Sequence, residues 1–263
     1  MQISGSTVLL TGATGGIGQA IARALAGRGA KLILTGRRAD VLEPLAAELG
    51  GRALAVDLAE RAEVARLIGE AGDVDVLVAN AALPGSGRLE DYSVQEVDRV
   101  LDVNLRAPIV LAHGLVPRMT TSGSGHLVFI SSLSGKAATP NTALYNASKF
   151  GMRGFATALR ADLRGSGVGV TTVFPGFIRD AGMFADADVK LPPGVGTSTS
   201  EEVAAAVVTG IERNKGEIDV APLPMRMSTV FASLAPETAG RVARRIGSDD
   251  ISSQMAAGQR EKR

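Results

Sequence analysis

The segment ALYNASKFG, residues 143–151, sets Tyr145 and Lys149 four residues apart in a chain with only two tyrosines, two histidines and no cysteine or tryptophan. On a helix an (i, i+4) pair shares one face, so a phenol and an ammonium can meet there. A phenol with an ordinary pKa of about 10 is a poor base at neutral pH. A neighbouring ammonium stabilises the phenolate and lowers that pKa toward use in proton transfer. Ser131 and Ser132, which close the apolar run HLVFI (126–130), supply hydroxyls that can fix a substrate oxygen. The set suits proton transfer to or from a carbinol oxygen. Most (i, i+4) pairs are ordinary surface neighbours, so this reading depends on the rest of the chain.

A second group lies near the N-terminus. The run TVLL (7–10) leads into TGATGGIG, where Gly12, Gly16 and Gly18 let the backbone turn tightly and approach a ligand closely. The helix that follows can offer its free N–H groups to a pyrophosphate. The spacing is Gly-x-x-x-Gly-x-Gly, not the G-x-G-x-x-G of the general dinucleotide fingerprint. The next apolar run ends in LTGRRAD, with Gly36 where an acid selecting NAD(H) would stand, followed by Arg37 and Arg38. Guanidinium groups grip phosphate through parallel, charge-assisted hydrogen bonds, and Thr14 can add a hydroxyl. These residues favour NADP(H), with NAD(H) as the alternative. Asp57, closing AVDL, can accept from an adenine amino group. Asn80, Ala81 and Ala82 close a further run, and the small alanines leave room for a cofactor.

The elements that would position these groups follow from periodicity. Near-continuous apolar runs at 7–10, 31–35, 53–56, 75–79, 126–130 and 168–174 read as strands buried on both faces. Segments of helical period lie between them, and most end at glycine. This alternation predicts an α/β fold: a three-layer, doubly wound Rossmann arrangement on a mostly parallel sheet of about seven strands. EIDVAP supplies the seventh. The chain reads as one domain over 1–263, with an irregular loop at about 181–200 and a C-terminal helix (224–246) and tail within 222–263.

Composition bounds the function. Of 263 residues, 45% are hydrophobic, and the net charge of +1 provides no field for nucleic acid or a membrane surface. Without cysteine there are no disulfides, thiolate metal sites or cysteine nucleophiles. The first sixteen residues lack the basic region of a signal peptide. No stretch approaches the roughly 20 apolar residues of a spanning helix. The expectation is a cytoplasmic protein without stable membrane insertion.

Taken in order, these motifs resemble the short-chain dehydrogenase/reductase family over residues 5 to about 220. The family's TGxxxGxG stands here as TGATGGIG, its Asn-Ala-Gly motif as NAA, and its Tyr-x-x-x-Lys as YNASK. The resemblance implies an oxidoreductase that interconverts a carbonyl and a secondary alcohol, with Tyr145 as general acid/base. Ser132, thirteen residues before Tyr145, matches the catalytic serine, and Asn104 in DVNLRAP matches the asparagine that completes a tetrad. Pro175 and Gly176 in FPGFI match the segment flanking the nicotinamide. The implied cofactor contacts further include Gly15, Ile17, Leu58 and Ile178, with Tyr145 and Lys149 on the nicotinamide ribose. Ala82 replaces the family's glycine, and Asp180 stands where a threonine often touches the nicotinamide carboxamide. The resemblance also implies a homo-oligomer, a dimer or tetramer built on the helices at 93–119 and 143–164. Leu83, Leu133, Phe177, Met183 and Phe184 would line the cleft for a hydrophobic ketone or alcohol.

Other chemistries fit less well. There is no Gly-x-Ser-x-Gly elbow for a hydrolase. His113 falls inside a helix and His126 opens a buried strand, so neither reads as catalytic, and no metal site is expected. A cofactor-binding regulatory protein of the same fold is the rival reading; such proteins typically lose the tyrosine or lysine kept here.

Overall fold

Strands that are apolar throughout need cover on both faces, and this sheet has it. The computed structural model describes residues 1–185 and 195–245, with Gln254 and Gly258 as isolated positions. Seven strands form one sheet: β1 (Thr7–Thr11), β2 (Lys31–Gly36), β3 (Arg52–Ala55), β4 (Val76–Ala79), β5 (Gly125–Ile130), β6 (Val168–Pro175) and β7 (Glu217–Val220). Their order is β3-β2-β1-β4-β5-β6-β7 and every pairing is parallel. The sheet expected as mostly parallel is therefore wholly so.

Helices α1 (Gly16–Ala26), α2 (Ala39–Leu49) and α3 (Arg61–Ala71) join the first four strands. Then come α4 (Val94–Leu101), α5 (Ala107–Ser122), α6 (Ala143–Asp162), the short α7 (Gly182–Ala185) and α8 (Ser200–Arg213). One face of the sheet buries Ile21, Leu25, Leu42 and Val207 from α1, α2 and α8. The other buries Leu67, Val100, Leu111, Leu115 and Met152 from α3 to α6. The direction of winding reverses between β1 and β4, which opens a crevice at the carboxyl ends of these strands.

Two helical expectations are corrected. The helix expected at 93–119 is interrupted by a π turn, Asp102–Arg106, between α4 and α5. Such turns insert one extra residue and re-aim side chains, commonly at functional sites. The continuous stretch Val94–Ser122 is also long and apolar enough to cross a membrane, against the expectation of no such stretch; part of it is buried against the sheet. The C-terminal helix is two helices, α9 (Leu223–Leu234) and α10 (Pro236–Arg245). Pro236 cannot donate a backbone hydrogen bond and excludes the helical region for Ala235, which sits at φ −138°, ψ 65°. The loop expected at 181–200 begins as α7 and closes at its base, where Ile178 bridges Ser198. Its residues 186–194 lie outside the described residues, as does nearly all of the expected polar tail.

Candidate active site

The glycine turn packs to contact. Gly12 has φ +67°, and a Cβ there would stand 2.7 Å from Ala81 Cα. A Cβ on Gly18 would lie 2.1 Å from Gly12 O, and one on Gly16 would lie 2.6 Å from Ala181 Cβ. Asn80 locks the turn: its Nδ2 donates to Thr11 O and Gly12 O, both at 3.1 Å. The first turn of α1 has Gly15 as its cap, no side-chain cap and no acid. Its N–H groups therefore remain for an anion.

At the β2 tip, the acid that would select NAD(H) is absent, and any side chain there would have to displace Thr14. A Cβ on Gly36 would meet Thr14 Cγ2 at 2.9 Å. Arg38 donates Nη2 to Thr14 O at 2.6 Å, and Arg37 is exposed beside it. Asp57 is part-buried: Oδ1 accepts from Ala59 N at 3.0 Å, and Oδ2 pairs with Arg99 Nη2 at 2.8 Å. Arg99 had no motif to mark it; its position on α4 was its only signal. Leu58 is buried behind Asp57. An uncapped helix start, glycines too close for any side chain and two arginines at the ribose end all fit a phosphorylated dinucleotide.

Across the crevice, a short 3₁₀ turn, Leu133–Gly135, and α6 bring the second group together. Ser132 Oγ accepts from Ser134 N at 3.1 Å, and the hydroxyl is near enough to the Tyr145 phenol to act on its pKa. Ser131 turns the other way, donating to Lys149 O at 3.1 Å. The geometry thus separates two serines that spacing alone left open. Lys149 is buried; its Nζ donates to Ile130 O at 3.0 Å and lies 5.5 Å from the Tyr145 ring centre. Gly85 approaches α6 so closely that a Cβ would lie 2.9 Å from Tyr145 N.

Asn104, placed by the π turn, holds the other wall. Its Oδ1 accepts from Leu83 N at 2.6 Å, and its Nδ2 donates to Leu83 O at 2.9 Å and Ser148 Oγ at 3.4 Å. Pro175 and Ile178 are buried and Gly176 partly so, with Ser132 Oγ donating to Pro175 O at 3.4 Å. Asp180, at the position where the family often has a threonine, is engaged by α8. Its carboxylate accepts from Ser200 N at 3.0 Å and Ser200 Oγ at 2.6 Å, anchoring the start of α8. Leu83 and Leu133 are buried, and the Phe177 and Phe184 rings pack with centres 4.8 Å apart.

One electrostatic expectation is overturned in this state. Burial pushes the Tyr145 phenol up to about 12, outweighing the nearby Ser132 hydroxyl that acts downward. Burial also pulls the Lys149 ammonium down to about 8. Desolvation, not the neighbouring charge, dominates both groups.

Comparison with known proteins gives the family. Residues 6–191 match the family described as short chain dehydrogenase. The chain belongs to that family. The ketoacyl reductase HetN of Nostoc sp. is 33% identical to this dehydrogenase-family chain over 268 residues, covering 97% of it and 93% of HetN. A short-chain dehydrogenase from Sphingobium yanoikuyae, solved in complex with NADPH, is 28% identical with a TM-score of 0.76, covering 90% of this chain and 95% of its own. A metagenomic short-chain oxidoreductase in complex with NADP is 32% identical with a TM-score of 0.70, covering 84% and 99%. This short-chain dehydrogenase is thus an oxidoreductase by family.

Proposed function

We propose that the protein is an NADP(H)-dependent oxidoreductase that interconverts a carbonyl and a secondary alcohol, with Tyr145 as general acid/base. The observation that carries this reading is the Ser132–Tyr145–Lys149 set facing the glycine turn across one crevice. NADPH, when bound, would supply the hydride that a carbonyl carbon accepts, and NADP+ would take up the hydride that a carbinol carbon gives up.

The remaining work falls to this chain's residues. Gly12, Gly15, Gly16, Ile17 and Gly18 would hold the pyrophosphate on backbone N–H groups, and Arg37 and Arg38 the 2′-phosphate. Ser132 orients a substrate oxygen beside Tyr145, which donates its proton to that oxygen in the reducing direction. A phenol near 12 is fully protonated at neutral pH, so the free protein stands ready as the acid. Oxidation of an alcohol needs the phenolate, and an ammonium at Lys149 favours that form. Asn104 fixes the Leu83 backbone at the edge of the crevice. Leu83, Leu133, Phe177 and Phe184 favour a hydrophobic substrate. The ketoacyl reductase description of the Nostoc relative and the NADPH and NADP complexes of two similar structures support this reading.

The test follows NADPH absorbance with hydrophobic alkyl and aryl ketones, and NADP reduction with the matching secondary alcohols. NADPH consumption with stoichiometric alcohol formation is the expected result. No turnover with any pair, in a protein that binds NADPH, would favour the regulatory reading instead.

A further inference from the structure

Arg99 takes no part in the proton chemistry, yet it sits beside the residues proposed to choose the cofactor. Val56 N donates to Gly36 O at 3.1 Å, so β2 and β3 end side by side, with Arg37 and Asp57 on neighbouring tips. Between this acid and the exposed Arg37 guanidinium, an ion pair would form readily. It does not form, because both carboxylate oxygens are engaged: Oδ1 by Ala59 N–H and Oδ2 by the Arg99 guanidinium. Among the described residues Arg37 makes no hydrogen bond or ion pair, while Arg38 is tied to Thr14 O. A second acid lies at the same tip, where Glu63 accepts from Asp57 N.

We infer that Arg99 is a positioning residue for cofactor selectivity, holding the Asp57 carboxylate so that Arg37 stays available to a 2′-phosphate. This rests on the NADP(H) reading above. Without Arg99, the carboxylate keeps its charge and Arg37 becomes the adjacent cation. The Asp57 carboxylate and the 2′-phosphate then compete for the same N–H donors, and the two anions repel. A 2′-hydroxyl carries no charge and is nearly indifferent. Burial alone would raise the Asp57 carboxyl, but the Ala59 and Arg99 hydrogen bonds and the charges of Arg99 and Arg37 bring it below its ordinary value. Asp57 is therefore ionised wherever the cofactor would bind, and its charge must be balanced by some neighbour.

The experiment measures dissociation constants for NADPH and NADH by nicotinamide fluorescence. The proteins are wild type, Arg99→Gln, Arg99→Lys and the double variant Arg99→Gln with Asp57→Asn, each checked by thermal melting. Partly screened charges near the protein surface predict NADPH binding about tenfold weaker in Arg99→Gln, with NADH changed less than about twofold. Arg99→Lys, which keeps the charge, should retain most of the preference, and the double variant should recover it. Should Arg99→Gln not fold, Arg99→Met carries the same comparison. Equal weakening of both cofactors, or no recovery in the double variant, would reduce Arg99 to a structural role and overturn the inference alone. A wild type that prefers NADH would instead overturn the cofactor reading and this inference with it.

Discussion

The Asn104 side chain pairs with the Leu83 backbone as a neighbouring strand would, accepting from its N–H at 2.6 Å and donating to its C=O at 2.9 Å. Both residues are buried, so neither backbone group has water to fall back on. Asn104→Ala leaves both unpaired, at about 1–3 kcal/mol for each buried group. Urea unfolding should therefore show a loss of about 2–6 kcal/mol. Asn104→Asp should recover only part, because a carboxylate accepts from Leu83 N–H but faces Leu83 C=O without a proton to give.

Gly36 makes a second prediction, against a common engineering route. Installing an acid there to select NADH should fail, because its Cβ would press on Thr14 Cγ2 at 2.9 Å. Gly36→Asp should lose about 1–3 kcal/mol from overpacking and weaken binding of both cofactors. Shortening the neighbour, as Gly36→Asp with Thr14→Gly, should restore stability and allow the preference to move toward NADH. Thermal melts and fluorescence titrations of the two variants distinguish these outcomes.

The buried His126 governs stability in mild acid. Thr171 Oγ donates to Lys215 O, so it accepts from His126 Nε2, which places a ring proton on that nitrogen. Burial, with the positive charges of the N-terminus and Arg160 adding to it, pulls the imidazole from 6.5 to about 3. The unfolded chain protonates below about 6.5 and the folded chain does not until about 3, so unfolded molecules bind the extra proton in between. Stability is therefore complete above pH 6.5 and falls as pH drops toward 3, by up to about 1.4 kcal/mol per pH unit. His126→Gln should be less stable at pH 7 but show a flatter slope between pH 6.5 and 4.5, where few carboxylates titrate. Urea unfolding across that range measures it; an unchanged slope would refute the assignment.

With two tyrosines and no tryptophan, the phenol is open to direct observation. Ultraviolet difference absorbance of tyrosinate should show one component titrating near pH 12, absent from Tyr145→Phe. Adding NADP should lower that component if Lys149 and the bound cofactor act on the phenol as proposed. A Tyr145 component already near 10 in the free protein would contradict the dominance of burial.

How much was legible in the sequence follows from which forces are local. Strands such as GHLVFI and VGVTTVFP declare themselves because burial on both faces demands continuous apolar residues. The glycine turn was legible for a similar reason: Gly12 and Gly18 face backbone too close for any side chain. The π turn was not, because no local pattern in DVNLR marks it, and Asn104 within it bonds the backbone of Leu83 on a distant loop. The break before Pro236 was written in the chain but hidden by apolar spacing that continues across it. Arg99 and Asp57 meet only through the sheet order, and no local pattern links them. The phenol was misjudged because spacing reveals a nearby charge but not the depth of burial that outweighs it.

The most direct test of the account is the kcat/KM for NADPH-dependent reduction of the best ketone substrate, in wild type and Tyr145→Phe, with the NADPH dissociation constant measured on the same samples. The account predicts that Tyr145→Phe binds NADPH within about twofold of wild type but loses at least about a hundredfold in kcat/KM, the scale of a missing general acid. A variant that binds NADPH normally and reduces the ketone at the wild-type rate would contradict it.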